Sequence, residues 1–345
     1  MTSRPFRVPA AAPAPLDVVS HARRGPGVSA RLTVGQIEQI RRTVRRAPEV
    51  IVKVTGGARN TGAVAAHIAY ISHHGEIELE TDDGQRVSKA GQKELLNGWH
   101  LDLSPGQYRP APRGAKNSVR GIKLVHNIVL SMPAPTPPDK VRAAAKTFAR
   151  EKFGLKYPYA MALHTHQGHP HVHLVVKAEG LDVPRLHIDK AMLREWRGDF
   201  ARMMRDQGIA ANATLRALRG HSKGAERDCH YRTRRRGSSF VLREKVQGVA
   251  IELATSGTIR DSAHTKLAET RKAIVAGWLA VAALLDHQGD AVLAGEVRQF
   301  VGNLPPVLTD RERLAPELIN RVKVNRSTEI RKDELVREKT TGRTR

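Results

Sequence analysis

The sequence contains almost no cysteine and no long apolar segment, and both shortages exclude a class of protein. Its single cysteine, Cys229, excludes an internal disulfide and fits a reducing compartment. The longest uninterrupted apolar run, residues 273–285, is too short to span a bilayer and predicts a buried helix. The N-terminal segment also lacks the apolar stretch of a signal peptide. We therefore expect a soluble cytoplasmic protein without membrane insertion.

Acidic and aromatic residues are scarce as well. The chain has 58 Lys and Arg residues against 34 Asp and Glu, a formal net charge of +24. A field of this sign attracts polyanions, and nucleic acid is the first candidate. An anionic membrane is less favoured because the charge is spread along the chain and not confined to one amphipathic helix. Aromatic residues make up only 4% of the sequence, which favours contacts with phosphates over extensive base stacking.

Histidine, by contrast, is concentrated in one short segment. A random window of ten residues would hold about 0.5 of the 16 histidines in the chain. The window 164–173 holds five: His164, His166, His169, His171 and His173. Neutral imidazole is the commonest protein ligand for transition metals, and alternate positions of a strand point to one face. The segment therefore predicts a metal centre, against the alternative of a polar, solvated hairpin face.

The histidine segment is predicted to fold as a β-hairpin. Residues 159–163 and 174–176 have the composition of strands, and they enclose a turn predicted at residues 167–170. Cross-strand Cβ atoms on one face lie about 5 Å apart, close enough for several imidazoles to share one ion. The predicted register sets two pairs of histidines opposite each other: His164 with His173 and His166 with His171.

Tyr70 lies off the apolar stripe of a helix predicted at residues 61–74. The stripe consists of Val64, Ile68 and Ile71. On a helical wheel, Tyr70 falls roughly 120° from the middle of the stripe, beside His67 and His74. A structural tyrosine would more often lie within the stripe, so the position favours a reactive role without settling it.

The predicted elements run in the order strand, helix, strands, helix, hairpin and helix. This order indicates an α+β fold with a largely antiparallel sheet and flanking helices, followed by an all-α C-terminal region. The predicted domains are a basic, largely disordered N-terminal extension (1–48), in which a short helix begins near Thr33, a first folded domain (49–230), a helical C-terminal domain (240–330) and a charged tail (331–345).

Two motifs resemble those of a known family, the conjugative relaxases or mobilisation nucleases. Tyr70 lies in Ala-His-Ile-Ala-Tyr-Ile-Ser-His-His-Gly, preceded by Val-Lys-Val-Thr-Gly-Gly, and this segment resembles the nucleophile motif of that family. The histidine segment, with its Pro-His-x-His ending, resembles the metal motif, and residues 211–220 resemble the segment that closes the nuclease domain. The resemblance covers about residues 48–222 and includes the T-DNA border endonuclease type. It implies an HUH-type relaxase domain at residues 49–230.

The resemblance also implies roles for individual residues. Tyr70 corresponds to the attacking tyrosine, and the three metal ligands correspond to His164, His171 and His173. The sequence departs from the family at His166, where many relatives have Asp, and at Lys177, where an Asn is common. His166 is an accessory candidate with three open roles, which are tuning the metal, orienting a water and assisting deprotonation of Tyr70. The identity of the general base stays open.

The implied activity is site- and strand-specific nicking and rejoining of DNA at an origin of transfer. The reaction passes through a 5′-phosphotyrosyl intermediate, uses a divalent metal, and initiates conjugative transfer of a plasmid or integrative element. The family uses Mg²⁺ or Mn²⁺. Three imidazoles suit Mn²⁺ or another transition metal better than Mg²⁺, so the identity of the metal stays open.

The implied substrate is single-stranded or locally melted DNA at the origin of transfer. The implied protein partners are relaxosome accessory proteins and the coupling protein of a conjugative secretion system. Transfer of the cytoplasmic protein with the DNA strand to the recipient cell is a further expectation. The basic segments 41–46, 194–205 and 232–236 are candidates for holding DNA by its phosphates. The individual DNA-binding candidates are Arg194, Arg197, Arg216 and Arg219.

Two other functions compete with this one. A rolling-circle replication initiator or related transposase would use the same metal and tyrosine chemistry. Its tyrosine commonly follows the metal motif, whereas Tyr70 precedes it. A non-catalytic DNA-binding accessory protein would carry a structural or degenerate histidine site, and retention of binding without cleavage would identify it.

Overall fold

The computed structural model describes Val18 and residues 31–103, 122–166, 168–221, 233 and 235–320. Cys229, the predicted tail and most of the predicted disordered N-terminal segment lie outside these residues. The chain divides into two compact units, whose main described parts are residues 32–214 and 215–320. None of the described helices has the length and apolarity that crossing a bilayer requires.

The N-terminal unit is built on an antiparallel sheet whose strand order is β1-β4-β6-β5-β2-β3. The strands are β1 (Ile51–Gly56), β2 (Leu79–Thr81), β3 (Arg86–Val87), β4 (Val125–Ser131), β5 (Tyr159–His164) and β6 (His171–Lys177). The helices are α1 (Val34–Val44), α2 (Thr61–Ile71), α3 (Gln92–Gly98), α4 (Pro138–Phe153) and α5 (Lys190–Asp206). The predicted α+β class with an antiparallel sheet is confirmed.

One face of this sheet is covered by α4 and α5. The strand residues Val172, Leu174 and Val176 point to this face and share a core with both helices. Phe148 of α4 is fully buried there, with its ring centroid 5.9 Å from that of Trp196 and 6.1 Å from that of Phe200. Because strand side chains alternate, the histidines of β6 point to the other face.

The other face is partly covered by α2. Its predicted apolar stripe is buried, as expected, against Ala160, Ala162 and Val175. The stripe consists of Val64, Ile68 and Ile71. The Asn60 side chain caps the helix by accepting a hydrogen bond from the Ala63 N–H at 2.7 Å. The helix ends at Ile71 and not at the predicted residue 74, because His73 and His74 adopt positive φ angles of 49° and 58°.

The histidine hairpin forms, but its predicted register is wrong by two residues. His164 pairs with His171, and Ala162 pairs with His173. The strands end at His164 and begin again at His171, so the connection is longer than the predicted turn at 167–170. A shift of two residues leaves every side chain on its original face, whereas a shift of one would reverse the faces. The predicted convergence of the histidines therefore survives the error in register.

The C-terminal unit is helical, as predicted. Its helices are α6 (Phe240–Ser256), α7 (Ala263–His287) and α8 (Ala291–Gly302), and residues 310–320 are also helical. The apolar run 273–285 lies within α7, where Trp278 and Leu285 are fully buried. The Trp278 Nε1–H donates a hydrogen bond to the carbonyl of Leu218 at 3.0 Å. This contact lies within the C-terminal unit, which includes the short helix Arg216–Arg219. The domain bounds expected from the sequence stay predictions.

Candidate metal centre and tyrosine

Three of the predicted site residues come together at the end of the β5–β6 hairpin where the connection joins the two strands. His164, His171 and His173 each offer one ring nitrogen, and these three atoms lie within 4.8 Å of one another. The ring centroids are 4.5 Å apart for His164 and His173, and 5.1 Å apart for His171 and His173. The structure thus assembles the three imidazoles that the resemblance predicts as ligands.

Hydrogen bonds orient two of these rings. The Nε2 atom of His164 lies 2.6 Å from the carbonyl oxygen of Ile71, and the Nδ1 atom of His171 lies 3.1 Å from that of His169. Since a carbonyl only accepts, each of these ring nitrogens is the donor, which leaves Nδ1 of His164 and Nε2 of His171 with free lone pairs. A backbone partner of this kind is the usual support of a metal-ligating histidine. The donor set fits a divalent transition ion held by imidazole nitrogens.

Burial keeps these imidazoles neutral near pH 7. His164 is 2% exposed and His171 is 5% exposed. Loss of solvation lowers the pKa of His164 to about 4 and that of His173 to about 3, and it also lowers the pKa of His171. Neighbouring imidazoles lower the same pKa values further. A histidine must be neutral to bind a metal, so the trio is already in the required protonation state.

Tyr70 lies beside the histidine trio. Its side chain is 52% exposed, and its ring meets that of His173 edge-on, with centroids 6.0 Å apart. On its other side it stacks against His67 of the same helix at 6.0 Å. The next residue, Ile71, supplies the carbonyl that holds His164. The helix that carries the tyrosine is therefore bonded directly to the histidine hairpin.

Two further residues at this site were missed by the sequence reasoning. His73 follows α2, and its ring centroid lies 4.5 Å from that of His164 and 4.6 Å from that of His166. Lys53 pairs with Val129, which pairs with His173, so Lys53 projects from the same sheet face as the histidines. Its positive charge contributes to the lowered pKa of His171 and His173. The alternation of β1, with Val50 and Val52 on the covered face, could have indicated Lys53.

His166, the accessory candidate, is exposed on the connection that follows β5. Its ring centroid lies 5.2 Å from that of His164 and 6.2 Å from that of His171. It belongs with His73 and His164 to a second set of three imidazoles whose ring nitrogens lie within 4.8 Å of one another.

Two of the four predicted DNA-binding arginines lie on the sheet face away from this site. Arg194 and Arg197 lie on α5, which packs on the sheet face opposite the histidines. Arg216 and Arg219 belong to the C-terminal unit. In the segment 41–46, Arg41 and Arg42 form ion pairs with Glu38 of their own helix. Two residues of the segment 232–236, Arg232 and Arg234, lie outside the described residues. The DNA-binding roles of these residues stay predictions.

Comparison with known proteins adds independent information. Residues 113–209 match the family described as "Relaxase: MobA/VirD2-like, nuclease domain". The chain is 27% identical over 208 residues to the T-DNA border endonuclease VirD2 of Rhizobium radiobacter, covering 54% of this chain and 46% of the relative. It is 26% identical over 225 residues to the protein of that name from Agrobacterium fabrum, covering 56% and 46%. The chain thus spans about half the length of the curated relatives it matches.

A solved structure titled "Molecular Basis of Vancomycin Resistance Transfer in Staphylococcus aureus" also aligns, over 49% of this chain and 99% of its own. The TM-score is 0.33 and the identity 13%, too low to support a structural argument. The family match includes the whole histidine hairpin, whereas Tyr70 lies before its first residue.

Proposed function

We propose that this chain is a relaxase of the MobA/VirD2-like type, matched at residues 113–209, and that it nicks and rejoins one DNA strand at an origin of transfer. The observation that carries the proposal is the position of Tyr70, an exposed phenol beside three converging, neutral imidazoles. The relatives are named T-DNA border endonucleases, which supports DNA as the substrate. The net charge of +24 supports it as well.

The trio His164, His171 and His173 would hold a divalent ion through one nitrogen each. When bound, such an ion polarises a phosphoryl oxygen and stabilises the charge that develops during phosphoryl transfer. Three imidazoles favour Mn²⁺ or another transition ion over Mg²⁺, which prefers oxygen ligands. The carbonyls of Ile71 and His169 fix the orientation of two of these rings before any ligand arrives.

Tyr70 would act as the nucleophile. Its oxygen forms a bond to the scissile phosphorus, and the bond from phosphorus to the 3′-oxygen breaks. The phenol loses its proton, the departing 3′-oxygen gains one, and the 5′-phosphate stays attached to Tyr70. Because a phosphotyrosyl ester retains the energy of the broken bond, attack by a 3′-OH can reverse the step and rejoin the strand. His67 stacks on Tyr70, and His166 lies beside His164 of the trio, so both are candidates for proton transfer and neither is assigned that role.

Tyr70 is exposed on the surface of α2, beside the sheet. A phosphodiester must be brought against this surface, which favours a single-stranded or locally melted substrate. Lys53, on the same sheet face as the trio, offers a cation to the phosphates. We propose relaxosome accessory proteins and a coupling protein as partners, with conjugative transfer as the process served. The order of the motifs, tyrosine before metal hairpin, favours this function over that of a rolling-circle initiator.

The end of the cleaved strand that becomes joined to the protein tests this function. Single-stranded oligonucleotides tiled across the DNA that flanks the gene are labelled at one end or the other and incubated with the protein and Mn²⁺. We expect one oligonucleotide to give a protein adduct that resists denaturation and carries only the 3′-terminal label, with a released fragment ending in 3′-OH. EDTA should prevent the reaction. A free 5′-phosphate without adduct would instead indicate a hydrolytic nuclease, and binding without cleavage would indicate an accessory protein.

A further inference from the structure

We infer that His73, His164 and His166 form a second metal position, which cannot be filled at the same time as the position formed by His164, His171 and His173. The ring centroids of His73 lie 4.5 Å from His164 and 4.6 Å from His166, and those of His164 and His166 are 5.2 Å apart. One ring nitrogen from each of the three lies within 4.8 Å of the others. This is the same convergence as in the first set.

The backbone after α2 directs His73 into this position. Ser72 closes the helix, and its carbonyl accepts hydrogen bonds from the N–H groups of Gly75 and Ile77, both at 2.9 Å. His73 and His74 are held in the left-handed region, which residues other than glycine rarely adopt. The turn returns the chain towards β5. Of its two histidines, only His73 joins His164 and His166, whereas His74 is exposed.

His164 makes the two positions mutually exclusive. Its Nε2–H is donated to the carbonyl of Ile71, so only Nδ1 carries a lone pair that can bind a metal. One lone pair binds one ion. Within the described part of the chain, the imidazoles form two overlapping sets of three and not one larger set. An ion bound by His73, His164 and His166 would therefore leave His164 unavailable as a ligand at the position beside Tyr70.

The second position has a definite chemical preference. Its three donors are imidazole nitrogens, and it is more open to solvent than the first, since His166 is exposed and His73 is half-buried. Such a donor set binds late first-row ions more strongly than Mn²⁺ and disfavours Mg²⁺. Co²⁺, Ni²⁺ and Zn²⁺ are the expected occupants. The proposal concerns metal binding by this chain and is tested without DNA.

The test is a Co²⁺ titration of the full chain, purified without a histidine tag and followed by visible absorption and calorimetry. The wild type should bind one Co²⁺ tightly. The variant His171→Ala/His173→Ala should still bind one, through the second position. Adding His73→Ala to that variant should weaken binding by about 100-fold or more, since changes even to the outer partners of ligands cost 10–100-fold. Adding His74→Ala, the matched control from the same turn, should leave the affinity unchanged.

Two tightly bound ions in the wild type would overturn the mutual exclusion of the two positions. The second position itself would be overturned by the absence of tight binding in the His171→Ala/His173→Ala variant, or by equal effects of His73→Ala and His74→Ala. Where circular dichroism shows that the double variant is not folded, His171→Ala alone replaces it as the background. If the wild type itself did not bind Co²⁺, the metal site of the proposed function would be contradicted as well. Failure of the second position alone is therefore distinguishable from failure of the proposed function.

Discussion

Tyr70→Phe should abolish covalent attachment of the protein to DNA and leave DNA binding unchanged. The substitution removes one oxygen atom and keeps the ring that stacks on His67 and meets His173. Because the side chain is 52% exposed, the fold should not change. Removal of a covalent nucleophile lowers the rate on the order of 10⁴-fold or more. The measurement is the yield of adduct between the protein and a labelled oligonucleotide on a denaturing gel, with Mn²⁺ present.

Tyr157→Phe provides the matched control. Tyr157 donates its hydroxyl hydrogen to the carbonyl of Pro184 at 2.6 Å, and neither residue belongs to the site. Loss of this bond should cost about 1 kcal/mol of folding free energy and leave the adduct yield at the wild-type level. Adduct formation by Tyr70→Phe at a rate near that of the wild type would exclude Tyr70 as the nucleophile.

Alanine at His171 or His173 should also eliminate cleavage, with most of the salt-sensitive DNA binding retained. Each change removes one imidazole from the position formed by His164, His171 and His173, and we expect the Mn²⁺ affinity of that position to fall by about 100-fold or more. DNA affinity that depends on phosphate contacts should keep its dependence on salt, because the cationic side chains are unaltered. The three effects are measured separately. Calorimetry with Mn²⁺ gives the metal affinity, the cleavage assay gives the activity, and a salt series of binding measurements gives the DNA affinity.

His187→Ala is the control for the histidine variants, since this residue is exposed and belongs to neither set of three imidazoles. It should retain both metal binding and cleavage. Undiminished cleavage by both His171→Ala and His173→Ala would mean that the trio has no part in the reaction. Loss of DNA binding along with cleavage would mean that these changes act on the fold and not on the metal.

Much of the fold could be predicted because its signals are local and periodic. The alternation of Val50, Val52 and Val54 marked β1, and the stripe on α2 marked the face that packs on the sheet. The histidine hairpin was found by composition and by the turn residues within it. Its register was misjudged because Gly168 and Pro170 locate a turn without fixing its length. The histidines still converge, since the error of two residues preserves their face.

The remaining parts of the site depend on backbone conformation and tertiary packing, which no periodic pattern in the sequence indicates. A helical continuation through His73 and His74 fits the local sequence, and only the left-handed turn places His73 against His164 and His166. Arg194 and Arg197 were chosen for charge alone, and packing of α5 placed them on the face away from the histidines. Charge runs predict a class of partner, whereas the position of each cation is decided by tertiary packing.

The most direct test of the account is to identify the residue that becomes joined to DNA. The adduct is digested with trypsin and nuclease, and the peptide that retains a nucleotide is sequenced by mass spectrometry. Residues 60–86 form one expected tryptic peptide, in which Tyr70 is the sole tyrosine. We predict a 5′-phosphate ester on Tyr70 in this peptide. A nucleotide on any other residue, or cleavage without a modified peptide, would contradict the proposed mechanism.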